Sequence, residues 1–138
     1  MRTIYVDTGA FIALLWSRDR DHRAMRARYA RLREERARLV TADPVISETA
    51  TRLRYDAGLN AAQTFGAVIR EAVGAGTLFV RESDAELRAR AFDVMTRYDA
   101  LQLSYADCVG AAVASELRAD AVLGLDNDFR IMGFALEP

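Results

Sequence analysis

The chain contains no lysine: all 19 of its basic residues are arginines. That absence removes every mechanism built on a lysine ammonium. P-loop nucleotide binding, response-regulator receiver domains and haloacid-dehalogenase-type phosphatases each lose a required residue. Cysteine is nearly absent too. The lone Cys108 cannot form an internal disulfide, so a reducing, cytoplasmic compartment is the expectation. The single histidine, His22, lies between Asp21 and Arg23 at a helix start and reads as a solvated side chain. No apolar run approaches the ~20 residues of a membrane span. The chain enters a strand-like Ile4-Tyr5-Val6 with no charged leader or signal-peptide core before it. No stretch is rich enough in proline, glycine or serine to be a linker, and there is no internal repeat.

What is present fits one folded domain of 138 residues, 51% of them hydrophobic, which excludes a disordered chain. The net charge of −1 hides a division. Arg18 to Arg38 carries nine arginines against four acids, while the rest of the chain carries ten basic and sixteen acidic residues. Within the arginine-rich segment Met25, Tyr29 and Leu32 recur at helical spacing, so it reads as an amphipathic helix. Its outer face is either solvated or a contact for polyanion phosphates.

Two periodicities alternate along the chain. Strands are expected at Ile4–Val6, Leu39–Thr41, Leu78–Val80, Ala121–Leu125 and Phe134–Leu136. Helices are expected from Ala10 to Leu15, from an Asp43 N-cap and Pro44 at N1 through Tyr55, and from an Asn60 cap to Gly74. Further helices are expected over Asp84–Arg97 and Ser104–Leu117, with a short turn at Asp128–Met132. Short strands alternating with helices define an α/β class: a small parallel β-sheet of four to five strands flanked by helices on both faces.

Four of the twenty acids sit among apolar neighbours. Asp7 ends the first strand, Glu48 lies mid-helix, Asp107 interrupts the least polar stretch of the chain, and Asp126 closes the fourth strand. In a parallel sheet the C-terminal strand ends line the ligand crevice. Carboxylates gathered there at ~4 Å repel by about 4 kcal/mol per pair at an effective dielectric of 20. A divalent cation reverses that repulsion, and hard oxygen ligands favour Mg²⁺ or Mn²⁺ over zinc. Each acid also has a plain structural role open to it. Asp7 and Asp126 can cap the elements that follow, and Glu48 can pair with Arg52 across one helical turn. Asp107 has no charged partner within four residues on either side.

These residues carry a resemblance. Val6-Asp7-Thr8-Gly9-Ala10-Phe11, Val45-Ile46-Ser47-Glu48, Leu103-Ser104-Tyr105-Ala106-Asp107-Cys108 and Leu125-Asp126-Asn127-Asp128-Phe129 together resemble the PIN-domain nucleases. The likeness is strongest to the VapC-type toxins of toxin–antitoxin pairs, in order, spacing and length. The resemblance implies a PIN-like fold and a Mg²⁺-dependent endoribonuclease with Asp7, Glu48, Asp107 and Asp126 as catalytic acids and metal ligands. Asp128 would be a further ligand, and Thr8 would steady the first aspartate or the substrate phosphate. Two positions depart from the family. Gly9 stands where serine is frequent, and Gly124 stands where a serine or threonine usually precedes the fourth acid; each removes a hydroxyl that would support the site.

An acidic centre repels RNA, so Arg23, Arg26 and Arg33 are the expected phosphate contacts. An antitoxin protein and a second copy of the chain are the expected partners; Trp16 and Phe11 read as either core or interface, and the dimer expectation takes them as exposed. A competing reading is a non-catalytic protein whose acidic groove receives an arginine or lysine from a partner. Asp7-Thr8-Gly9 also spells the aspartic-protease triplet, but those folds are all-β. Cys108 reads as an inert buried thiol.

Overall fold

A computed structural model of the chain describes residues 1–138. Four parallel strands, β1 (Thr3–Val6), β2 (Arg38–Ala42), β3 (Leu78–Arg81) and β4 (Ala121–Leu123), form one sheet in the order β3-β2-β1-β4. In the central strand β1, Ile4 faces Leu39 on one side and Ala121 on the other. The chain steps outward from β1 to β2 and β3, then returns across β1 to reach β4. Right-handed crossovers in opposite directions cover opposite faces of a sheet, and Ile4, Tyr5 and Val6 are accordingly buried without alternation.

The helices are α1 (Thr8–Leu15), α2 (His22–Glu34), α3 (Asp43–Asp56), α4 (Leu59–Gly74), α5 (Ala85–Arg97), α6 (Tyr105–Glu116) and α7 (Asp128–Ile131). α1 packs on α2, α3 and α4, while α6 packs on α5, α3 and β2. The alanine-rich run of α6 is buried from Cys108 to Ala114, which a helix apolar on every side requires. At the far end of α6, Glu116 accepts from Arg81 Nε at 2.7 Å and Nη2 at 3.1 Å, and from Arg90 Nη2 at 2.7 Å. This cluster ties α6 to the end of β3 and to α5. None of the helices is long and apolar enough to cross a membrane.

Several local expectations shift. α1 begins at Thr8, two residues before Ala10, because Asp7 already accepts the first helical bonds through its carbonyl. Asp43 is the first helical residue of α3 rather than its cap, which is Ala42. Gly58 at φ +104° makes the turn from α3 into α4, so α4 starts at Leu59 and Asn60 is already helical. β4 stops at Leu123, and Asp126 sits in the turn beyond it. The expected last strand is reduced to a single parallel bridge between Val122 and Leu136. Phe11 is not an interface residue: it is buried edge-on against Phe65, and Trp16 is half-buried beside the core. His22 is not simply solvated, since its Nδ1 lies 2.6 Å from the Ala13 carbonyl and ties α2 to α1.

Candidate active site

Because strand order reverses between β1 and β4, the crevice at the C-terminal ends of these two strands is the place where an open parallel sheet binds ligands. Asp7 leaves β1 there. Its backbone N–H donates to Leu123 of β4 at 3.0 Å and its carbonyl accepts from Ala10 and Phe11, which fixes the residue between strand and helix. The side chain, however, caps nothing. Asp7 is only 4% exposed, and its Oδ1 has no hydrogen-bond partner. Burial pushes its carboxyl up to about 7; the Thr8 backbone amide partly offsets that rise, and the charges of Asp107, Glu48 and Asp126 add to it. A carboxylate buried without a partner is expensive. The capping role open to it from sequence is not the one taken.

Asp7, Glu48, Asp107 and Asp126 line one cleft of about 440 Å³, together with Thr8, Arg52, Gln102 and Ser104. Glu48 comes from the second turn of α3, half-buried, with Arg52 Nη1 4.0 Å from its Oε1. Asp107 is the third residue of α6 and closes a reciprocal cap with Ser104. Its N–H donates to Ser104 Oγ and its Oδ2 accepts from the Ser104 N–H, both at 3.1 Å. Asp107 thus has the structural partner that a search for opposite charges overlooks, and its second oxygen makes no hydrogen bond within the chain. Asp126 Oδ1 accepts from the Asp128 N–H at 2.9 Å. Asp128 does not line the cleft. Burial first, then Asp126 and Asp107, raises its carboxyl.

The acids share a cleft without forming a closed coordination cage: no three acidic, histidine or cysteine side chains are gathered tightly enough to hold an ion as they stand. The donors nonetheless suit a hard divalent cation. They are all carboxylates, mutually repelling, and Asp7 Oδ1 is buried with an unspent lone pair. Thr8, whose Oγ1 is also buried without a partner, stands next to it at the start of α1.

The arginines chosen from sequence lie elsewhere. Arg23 is exposed on α2, Arg26 borders an apolar cavity beside Phe11 and Tyr29, and Arg33 borders a shallow hollow with Glu71. Arg52, read only as an ion-pair partner, is the cation that lines the cleft. Ser104 announces itself as the first residue of a Ser-x-x-Asp cap, whereas Gln102, at φ +52°, carries no sequence signal.

A family model described as the PIN domain matches residues 4–135. The chain is similar to the crystal structure of Mycobacterium tuberculosis VapC20, a sarcin–ricin loop cleaving toxin, with a TM-score of 0.84 and 27% identity over 98% of this chain and 99% of that one. It is also similar in fold to VapBC2 from Rickettsia felis, bound to a DNA fragment from their promoter, with a TM-score of 0.68 and 11% identity over 97% and 96% of the two chains. No curated protein matches.

Proposed function

The chain belongs to the PIN-domain family, and on that premise we propose that it is a Mg²⁺-dependent endoribonuclease, the toxin of a toxin–antitoxin pair. The observation that carries this reading is the Asp7 carboxylate, buried with one oxygen unpartnered and surrounded by three further acids at the sheet's switch point. RNA as substrate is supported by the likeness to a toxin that cleaves the sarcin–ricin loop.

Asp7, Glu48, Asp107 and Asp126 would hold the metal, with Asp128 supporting Asp126 from behind. A Mg²⁺ or Mn²⁺ ion held by these carboxylates would supply an acidified water and charge neutralisation at the scissile phosphate. Asp7 is fixed by its backbone bonds, so its position does not depend on a flexible stem. Asp107 is held by its cap while presenting its remaining oxygen. Glu48 has only the loose contact with Arg52, which leaves its carboxylate free to orient the attacking water and accept its proton. Thr8 Oγ1, buried in the cleft wall without a partner, would donate to Asp7 or to a phosphate oxygen. Arg23, Arg26 and Arg33 would steer the RNA over the outside of α2 rather than inside the cleft.

The expected partners are an antitoxin that covers the cleft and a second copy of the chain. Light scattering at tens of micromolar protein checks the latter, a monomer mass counting against it. A non-catalytic acidic module would bind a basic partner without cutting RNA. The deciding experiment incubates the protein with RNA in Mg²⁺, in Mn²⁺ and in EDTA, beside Asp7→Asn. Cleavage is expected only from the wild type with metal. Cleavage that survives both EDTA and Asp7→Asn would sink the metal-nuclease reading.

A further inference from the structure

Arg52 is the one cation lining a cleft that otherwise presents four carboxylates, and we infer that its guanidinium binds a backbone phosphate of the RNA strand. The inference rests on the ribonuclease reading above. It differs from that reading in taking affinity from inside the cleft and not from α2 alone.

Arg52 follows Glu48 by one turn of α3, so the two side chains share a face. Their approach of 4.0 Å is at the outer limit of an ion pair, and the Arg52 side chain is 52% exposed. Two arginines elsewhere show what a committed guanidinium looks like. Arg81 grips Glu116 through two nitrogens, and Arg2 is clamped between Glu35 and Glu137. Arg52 makes no hydrogen bond within the chain closer than that loose pair, which leaves its planar fork of donors open. Such a fork matches two phosphate oxygens at once, which an ammonium does not. Phosphodiesters approaching the acids are repelled, and a guanidinium a few ångströms from Glu48 counters that repulsion where the strand must pass. An exposed pair one helical turn apart adds only a few tenths of a kcal/mol to a helix, so folding alone does not call for an arginine here.

The test uses full-length protein and a mixed-sequence pool of single-stranded RNA, with steady-state cleavage measured in Mg²⁺ across a salt series. Arg52→Gln is expected to raise KM by about tenfold, to change kcat far less, and to melt with the wild type. The slope of log(kcat/KM) against log salt should become shallower by about 0.7, the value for one lost phosphate contact on a single strand. Arg52→Lys should regain most of the slope and only part of the KM, and it also serves if the glutamine variant folds poorly. If Arg52 acted only by restraining Glu48, kcat would fall with KM and slope unchanged, and the proposal would be overturned alone. A wild-type protein that cuts no RNA in Mg²⁺ overturns the ribonuclease reading and this proposal together.

Discussion

Gly124 lies against Asp7: a Cβ at position 124 would stand 3.2 Å from the aspartate's Cβ and 3.7 Å from its Oδ2. The glycine that replaces the usual hydroxyl residue therefore clears room for the buried carboxylate. Gly124→Ser should press on Asp7, costing about 1 kcal/mol of stability through overpacking. Gly9→Ser, which restores the other missing hydroxyl, meets only the Leu125 side chain at 3.7 Å, an ordinary contact. It should be neutral or stabilising by a few tenths of a kcal/mol. Urea melts of the two variants check this, and equal midpoints would show that Asp7 does not feel position 124.

Asp7 should make the metal-free protein less stable as pH rises. Its carboxyl is raised from 3.8 to about 7, so in that window the folded state holds a proton that the unfolded chain has released. Stability is then full below pH ~4 and falls as pH climbs through about 7, by on the order of 4 kcal/mol if no other group compensates. Asp7→Asn should flatten the decline and be the more stable protein at pH 8 in EDTA. Adding Mg²⁺ should stabilise the wild type there and leave the variant nearly unmoved. Thermal melts at pH 5 and pH 8, with and without metal, give the answer; parallel profiles for the two proteins count against it.

Asp107 serves the cap and the cleft through different oxygens, and two substitutions separate the roles. Asp107→Asn keeps an acceptor for the Ser104 N–H and should stay within about 0.5 kcal/mol of wild type while losing most cleavage. Asp107→Ala should lose the same cleavage and about 1 kcal/mol more stability. An active asparagine variant would remove Asp107 from the chemistry.

Glu116 should govern acid stability without touching cleavage. Arg81 and Arg90 hold its carboxyl at about 2, below the ordinary 4.5. The stability it contributes is therefore complete above pH ~4.5 and is lost as pH falls toward 2. Glu116→Gln should cost about 2 kcal/mol at neutral pH, as it leaves two arginines facing a neutral amide. It should also steepen nothing on the alkaline side. Denaturant titrations at pH 3 and pH 7 should show the variant's deficit shrinking in acid.

The place of Asp7 in the cleft is legible in the sequence because an acid ending an apolar parallel strand has few places to go but the crevice. Glu48 and Asp107 on helices and Asp126 in a turn are instead brought beside it by the way these elements meet. The α/β class is legible for a similar reason: runs such as Ile4-Tyr5-Val6 demand cover on both faces. What escapes is whatever depends on how two elements meet. Arg52 looks like a local partner of Glu48 until α3 is seen to face the cleft. Phe11 looks like an interface residue only if α1 is taken as a surface helix, yet Phe65 of α4 encloses it. The Asn60 cap is a sound local signal that loses to Gly58, whose positive φ starts α4 two residues sooner. Arg26 and Arg33 share α2 with the charge that suggested them, but α2 ends at Glu34 and β2 begins at Arg38, so the helix has to run back toward the N-terminal ends of the strands. Their distance from the carboxylates follows from that path.

The strand order has a consequence for the moment at which the cleft is completed. β1 precedes the other strands along the chain but occupies an interior place, and its flank toward β4 is filled by the strand that comes last in chain order. Asp7 reaches its pocket only when Leu123 supplies the carbonyl that its backbone N–H needs, and Asp126 follows still later. Pairings between such distant segments close slowly. A nascent chain that has not yet delivered its final strand therefore carries the first three acids but no fourth wall for the cleft. The four-acid cleft is complete only once β4 and the turn that carries Asp126 have docked beside β1.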